Sequence, residues 1–77
     1  MTTVLDLKGL SCPLPILRAK KAIKNVALGS TLQIQVTDPA AVNDFKAFCQ
    51  ATGNTLVDWT ENSGVFQFAI MKTSDLT

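Results

Sequence analysis

The segment Cys12-Pro13-Leu14-Pro15 places a thiol directly before two closely spaced prolines, and it is the part of the chain most suited to chemistry. Proline fits the first position of a helix, because its fixed φ suits the helix and its missing N–H has no partner there. Cys12, or Ser11 before it, is therefore the predicted N-cap of a helix. Free N–H groups and the helix dipole at this end favour a thiolate, the nucleophilic form of cysteine. We expect a reactive Cys12, with a small buried cysteine in a turn as the alternative.

The composition of the chain excludes several kinds of chemistry for this thiol. The chain has 77 residues, two cysteines and no histidine. This excludes a Cys-His nucleophile pair, acid–base catalysis by histidine and histidine-containing zinc sites, so we expect no bound metal. The net charge of +1 gives no argument for nucleic acid or anionic lipid as a partner. The sequence shows neither an apolar stretch of the ~18 residues that a membrane span needs nor the basic-then-apolar pattern of a signal peptide, so we expect neither of them and a cytoplasmic location.

The second cysteine, Cys49, has a different predicted role. It falls late in the second predicted helix and Cys12 falls at the start of the first, so at ~1.5 Å rise per residue the two lie roughly 15 Å apart. A disulfide needs Cα atoms within about 7 Å of each other. We therefore expect two free thiols in a reducing compartment, with Cys49 packed in the core.

Hydrophobic periodicity predicts six elements along the chain. Alternation with period two indicates strands over residues 3–7, Thr31–Val36, 55–61 and Val65–Met71, and spacings of three and four indicate helices over residues 13–25 and 39–52. The order βαβαββ predicts one domain over residues 1–77, with a frayed tail from residue 72. The expected fold class is an α/β two-layer sandwich of the α+β type, with two roughly parallel helices on one face of a four-stranded mixed sheet.

Each predicted helix has one apolar face. In the first helix this face comprises Ile16, Leu17, Ala19, Ile23 and Val26. In the second helix it comprises Val42, Phe45, Phe48, Cys49 and Thr52. Asp38 is the predicted N-cap of the second helix, with Pro39 at its first position, and Gly53 ends it. Alternation counted from Leu56 puts Trp59 on the sheet face opposite the helices, either packed across strands or in a partner surface.

Four of the seven positive residues lie on the polar side of the first helix. They are Arg18, Lys20, Lys21 and Lys24, and no acidic residue lies among them. This side is either simply solvated, with its later lysines complementing the helix dipole, or a docking surface for an acidic partner. The same charges also bias the electrostatic environment of Cys12, to which Arg18 is the nearest in sequence.

The residues around Cys12 resemble the TusA/SirA-like small sulfur-carrier family. The hallmark of that family, Cys-Pro-x-Pro after a strand that ends in a glycine turn, reads here from Leu7 through Gly9 to Pro15. The resemblance continues through Asp38-Pro39-Ala40 and Phe48-Cys49 into the last strand, and so covers nearly the whole chain. It implies that Cys12 accepts a sulfane sulfur as a persulfide. The supporting motif that it implies comprises Gly9, Pro13, Pro15 and Asp38.

The resemblance also implies partners. The expected donor is a cysteine desulfurase or a rhodanese-like protein. The expected acceptor is the next protein of a sulfur relay that serves tRNA thiolation, the molybdenum cofactor or sulfur metabolism. The chain then acts as a sulfurtransferase-type carrier with no cofactor besides the sulfur held transiently on Cys12. The alternative is a non-catalytic regulatory or protein-interaction module on the same fold, and direct binding of nucleic acid is not expected.

Overall fold

A computed structural model of the chain describes residues 2–11 and 13–74. Its elements are β1 (Thr2–Asp6), α1 (Leu14–Ile23), β2 (Thr31–Val36), α2 (Ala41–Thr52), β3 (Thr55–Asn62) and β4 (Val65–Met71). The predicted order βαβαββ is confirmed. The strands form one mixed sheet in the order β1-β2-β4-β3, so the predicted fold class is confirmed as well.

Strand directions determine where the helices begin. β1 is parallel to β2, and β4 is antiparallel to both β2 and β3, so β1, β2 and β3 all run in one direction. Each helix therefore connects two parallel strands and returns along the sheet in the opposite direction. Both helices begin at the same edge of the sheet, which brings the turns before α1 and α2 together.

The core lies between the sheet and the two helices. β2 alternates between half-buried and fully buried positions, and its buried side chains are Leu32, Ile34 and Val36. Ala19 and Ile23 of α1 and Phe45 of α2 are fully buried against the sheet. Phe45 packs on Phe68 of β4 with 4.9 Å between ring centroids. Burial of these apolar side chains is the main force that holds the helices on the sheet.

Both helices are shorter than predicted. α1 ends at Ile23, and the chain continues in tighter turns, with the Val26 N–H donating to the Ile23 carbonyl oxygen at 3.1 Å. α2 begins at Ala41 and not at Pro39. The predicted stop at Gly53 is confirmed: this residue has a left-handed φ of 79°, which glycine adopts at no steric cost.

Trp59 lies on the helix-covered side of the sheet, contrary to the predicted alternation. The pairing of β3 with β4 shifts at Val57, which is the extra residue of a β-bulge. The bulge reverses the alternation, so Trp59 is paired with the buried Phe68 and stacks on it at a centroid distance of 6.1 Å. Lys46 Nζ of α2 lies 5.8 Å from the centroid of the Trp59 ring. Cross-strand packing is confirmed, and the predicted face is wrong.

The chain after β4 is tied down where a frayed tail was predicted. The Lys72 N–H donates to the Ser30 carbonyl oxygen at 2.9 Å. The N–H groups of Thr73 and Ser74 donate to Asn54 Oδ1 at 3.0 and 3.2 Å, and Asn54 is buried. The prediction is therefore wrong for residues 72–74, because the Ser30 carbonyl oxygen binds the backbone of Lys72 and the buried Asn54 amide binds that of Thr73 and Ser74. Residues 75–77 of the predicted tail lie outside the described residues.

Candidate functional site

The candidate site is the corner that leads from β1 into α1. Cys12, the predicted nucleophile, lies outside the described residues, so the site is defined by the chain on either side of it, residues 7–11 and Pro13. The Leu7 N–H extends the parallel ladder by donating to the Gln35 carbonyl oxygen at 2.7 Å. Beyond this bond the chain leaves the sheet and turns towards α1.

Gly9 makes the turn possible. Its φ is 86°, in the left-handed region that other residues rarely adopt, and the Leu10 N–H closes the turn by donating to the Leu7 carbonyl oxygen at 3.2 Å. The Lys8 N–H donates to Asp6 Oδ1 at 3.1 Å, and the Lys8 ammonium lies 3.9 Å from the same carboxylate. Gly9 thus has the backbone role that the sequence predicts for it.

The entrance of α1 differs from the predicted one. Pro13 is the N-cap residue and α1 begins at Leu14. The prediction that Cys12 or Ser11 is the N-cap is therefore wrong, because the helix begins one or two residues later in the sequence than that prediction requires. Pro13 and the buried Pro15 carry no N–H, and the Leu14 N–H donates to the Ser11 carbonyl oxygen at 2.9 Å. Residues 13–15 therefore offer an anion no free N–H group. The positive end of the helix dipole and the cations of α1 still favour a thiolate at this end of the helix.

The corner before α2 lies beside the corner before α1. Thr37 Oγ1 accepts a hydrogen bond from the Gly9 N–H at 3.0 Å, which joins the two corners across 28 residues of sequence. Asp38 Oδ1 accepts the Ala40 N–H at 3.0 Å and so caps a single turn that precedes α2. The prediction that Asp38 is the N-cap of the helix itself is wrong, because the α-helical bonds begin later and Ala40 is the N-cap. Sequence reasoning missed Thr37, for which the only signal is a hydroxyl residue at the end of a strand.

The predicted docking residues Arg18, Lys20, Lys21 and Lys24 are all exposed on one side of α1 or at its end. Leu14 and Leu17 lie among them with 41% and 55% of their surface exposed. The prediction that Leu17 belongs to the buried stripe is wrong. Leu17 is two residues away from both Pro15 and Ala19, which are buried, and this corresponds to roughly 200° around the helix axis. The leucines therefore form an apolar centre within a positively charged surface.

An open groove of about 430 Å³ separates α1 from α2. Its lining comprises Pro13, Ile16, Lys20, Asp44, Ala47, Phe48, Ala51 and Thr52. Apolar atoms form most of this lining, with Lys20 and Asp44 as its two charged residues. Because Pro13 is bonded to Cys12, the groove ends at the candidate site. An apolar side chain of a bound protein therefore has a place to pack next to the corner.

Cys49 lies in the core as predicted, as a free thiol with 5% of its surface exposed. Burial disfavours the charged thiolate and raises the pKa of Cys49 from 9.0 to about 11. At neutral pH this cysteine is therefore a protonated thiol and a poor nucleophile. The arrangement makes Cys49 unsuitable for sulfur exchange.

Comparison with known proteins identifies the family. A family model described as sulfurtransferase TusA matches residues 3–72, which include both corners and the complete Cys12-Pro13-Leu14-Pro15 segment. The chain belongs to the TusA family. The resemblance noted in the sequence is thereby confirmed.

Individual TusA-family relatives match over nearly their whole length. The sulfur carrier protein TusA of Allochromatium vinosum is 49% identical over 69 residues, which are 90% of this chain and 91% of the relative. A putative sulfur carrier protein of Neisseria meningitidis serogroup A is 50% identical over 66 residues, which are 86% and 89% of the two chains. The putative sulfur carrier protein YrkI of Bacillus subtilis is 41% identical over 69 residues, which are 90% and 92% of the two chains.

The TusA-family fold also occurs in a solved structure. The crystal structure of a SirA-like protein from Desulfitobacterium hafniense aligns with a TM-score of 0.80 and covers 96% of this chain and 100% of that one, at 21% sequence identity. This similarity concerns the fold alone. Within residues 2–11 and 13–74, no helix is long and apolar enough to cross a membrane.

Proposed function

We propose that this TusA-family protein is a sulfur carrier, which accepts a sulfane sulfur on Cys12 as a persulfide and passes it to a partner protein. The observation that carries the proposal is the family match over residues 3–72, which contains the Cys-Pro-x-Pro segment at the corner before α1. The names of the relatives support it, since they are sulfur carrier proteins or putative ones at 41–50% identity. The proposed site is Cys12, supported by Gly9, Pro13, Pro15 and Asp38.

The proposed transfer is an exchange between a thiolate and a persulfide. The Cys12 thiolate attacks the outer sulfur of a donor persulfide, R–S–SH, and forms a new S–S bond. The S–S bond of the donor breaks, and R–S⁻ leaves with the electron pair, so the products are Cys12–S–SH and the donor thiolate. The step needs no oxidant, no metal and no general base, which is compatible with a chain that contains no histidine. The only group that the carrier holds is the sulfur itself.

Cys12 is the better of the two candidates for this step. Cys49 is buried and its raised pKa keeps it protonated at neutral pH. Sulfur exchange needs a thiolate that a partner can reach. The exchange also needs a reduced thiol, so the reducing cytoplasm is the proposed location.

The proposed donor is a cysteine desulfurase or a rhodanese-like protein, and the proposed acceptor is the next protein of the relay. Both must bring a reacting group to the corner before α1. We propose that they dock on the exposed side of α1, where Leu14 and Leu17 lie among Arg18, Lys20, Lys21 and Lys24. The partner surface that fits has an apolar side chain surrounded by carboxylates. Electrostatic attraction then speeds the encounter, and burial of the two exposed leucines adds apolar contact area.

The decisive experiment is intact-protein mass spectrometry after incubation with a cysteine desulfurase and cysteine, or with a rhodanese and thiosulfate. Wild type, Cys12→Ser and Cys49→Ser are compared. We expect a gain of one sulfur atom, reversed by a reductant, in wild type and Cys49→Ser. Cys12→Ser is expected to show no gain, because the attacking thiolate is missing.

Two results would count against the proposal. A sulfur gain that persists in Cys12→Ser would place the chemistry on another residue. No gain in folded wild type with either donor or with cysteine persulfide, while Cys12 is still alkylated by iodoacetamide, would favour the protein-interaction module. In that case pull-down experiments with charge-reversal variants of Lys20 and Lys21 would be the next step.

A further inference from the structure

The bond between Gly9 and Thr37 attaches the corner before α1 to the rest of the molecule. The other hydrogen bonds that residues 8–11 and Leu14 form within the described part of the chain are local, such as the one from the Lys8 N–H to Asp6 Oδ1. Local bonds of this kind set the shape of the turn, and the half-buried Leu10 packs its side chain against the core. The Thr37 hydroxyl is the side chain that binds this stretch from another part of the described chain, at 3.0 Å from the Gly9 nitrogen.

The place of Thr37 in the fold suits this task. It directly follows β2, whose residue Gln35 holds Leu7 through the last bond of the parallel ladder. The bond from the Gly9 N–H to Thr37 comes two residues after the bond from the Leu7 N–H to Gln35. It joins the same two segments beyond the end of the strands, with the Thr37 hydroxyl as acceptor in place of a backbone carbonyl. Thr37 itself is exposed and contributes little to the core, so its hydroxyl is the part of the residue with a defined partner.

We propose that Thr37 is a positioning residue for sulfur transfer, because its hydroxyl holds Gly9 and thereby the arm that leads to Cys12. The inference rests on the proposed function for its biological meaning. The positioning effect itself does not depend on the proposed function. The hydrogen bond between Gly9 and Thr37 holds the arm, which is the stretch from Gly9 towards Cys12, relative to the starts of α1 and α2 for any reagent that reaches the thiol. A reacting group that is misplaced by about 1 Å loses up to ~100-fold in rate, so one such attachment has a measurable effect.

The test compares Thr37→Val, which keeps the shape and removes the acceptor, with Thr37→Ser, which keeps the hydroxyl. Thr60→Val is the matched control, because Thr60 is an exposed threonine of β3. Loading of Cys12 from cysteine persulfide and from a cysteine desulfurase is followed by mass spectrometry. We expect Thr37→Val to load ~10-fold more slowly, and Thr37→Ser and Thr60→Val to load within about twofold of wild type.

A second readout separates positioning from simple loss of structure. The rate of Cys12 alkylation by iodoacetamide is measured against pH for the same variants, with the alkylated peptide identified by mass spectrometry. Thr37→Val is expected to need a higher pH for half-maximal rate, because its arm is no longer held at the positive end of the α1 dipole. Thr37→Ser is expected to restore the wild-type profile.

Either of two results would overturn the inference. One is wild-type loading and an unchanged alkylation profile in Thr37→Val. The other is an equal defect in Thr37→Val and Thr37→Ser, which would mean that the hydroxyl is not the group that matters. The alkylation assay uses no sulfur donor, so it tests Thr37 even if wild type accepts no sulfur. Failure of the inference and failure of the proposed function are thus distinguishable.

Discussion

The two βα units of this chain, β1–α1 and β2–α2, share one plan and differ in what they leave exposed. Each leads from a parallel strand through a turn with a proline into a helix, and each contains one cysteine. In the second unit a carboxylate caps the turn that precedes the helix, the cysteine is buried and a glycine ends the helix. In the first unit the first turn of the helix contains no acidic residue, whereas that of α2 contains Asp44, and two leucines of α1 face solvent.

This difference suggests that the second unit serves mainly the stability of the fold and the first unit serves sulfur exchange. A helix entrance that is already occupied by the Asp38 carboxylate has no need of a further anion. The first turn of α1 contains no acidic residue of its own, so the positive end of its dipole favours a transient thiolate or persulfide. Substitutions of the buried residues of β2 and α2 are therefore expected to change stability, whereas substitutions on the outer side of α1, and of Thr37 beside the first corner, are expected to change sulfur transfer.

The largest effect is expected for the reactivity of Cys49. Because its pKa is raised from 9.0 to about 11, its thiolate fraction below pH 9 is ~100-fold smaller than that of an unperturbed thiol. We expect iodoacetamide to alkylate Cys49 at least that much more slowly in the folded protein than in urea at pH 8. Peptide-resolved mass spectrometry measures both rates. Equal rates in the two states would show that the thiol is not protected.

The raised pKa of Cys49 also predicts that the folded protein loses stability at alkaline pH. Between pH 9 and 11 the unfolded protein has lost a proton that the folded protein still holds on Cys49, so the free energy of unfolding falls as pH rises. The contribution is fully present below pH 9. Urea unfolding at pH 8 and 10.5 is expected to show a smaller pH-dependent loss in Cys49→Ala than in wild type. Parallel losses in the two proteins would contradict the assigned cause.

The next largest effect is expected on the rate of sulfur loading, for a substitution on the outer side of α1. Leu17→Ser removes an apolar contact with the proposed partner, and we expect desulfurase-driven loading of Cys12 to slow by about tenfold at limiting donor. Leu28→Ser is the matched control, since Leu28 is 57% exposed and Leu17 is 55% exposed. Leu28 lies in the turn after α1. Loading from cysteine persulfide should be unchanged in both variants, because no docking is involved. Equal slowing of the two variants by the desulfurase would remove Leu17 from the docking surface.

The smallest effect is expected for the cap of the second unit. Asp38→Ala leaves the Ala40 N–H without its partner, and we expect a loss of about 1 kcal/mol in the free energy of unfolding. Asp38→Asn keeps an acceptor oxygen and is expected to lose much less. Thermal unfolding of the two variants at pH 7 makes the comparison. A similar loss in both would show that the charge, and not the cap, is what Asp38 contributes.

Local patterns predicted much of this molecule. The alternation of Thr31–Val36 identified β2 and its buried side chains, and Gly53 marked the end of α2. Such signals depend on a few neighbouring residues, so they are readable from the chain alone. The chemical hypothesis was equally local, because one Cys-Pro-x-Pro segment carried both the thiol and the family resemblance.

The amino-acid sequence by itself thus determined the order of the strands and helices, the family resemblance and the choice of Cys12 as the candidate reactive thiol. Only the tertiary structure decided which face Trp59 takes, because a bulge at Val57 in an edge strand resets the alternation. It also decided that Asn54 binds the backbone of Thr73, 19 residues away, and that Thr37 binds Gly9, 28 residues away. These features depend on residues that meet only after strands pair and helices pack. No pattern within a short window contains that information.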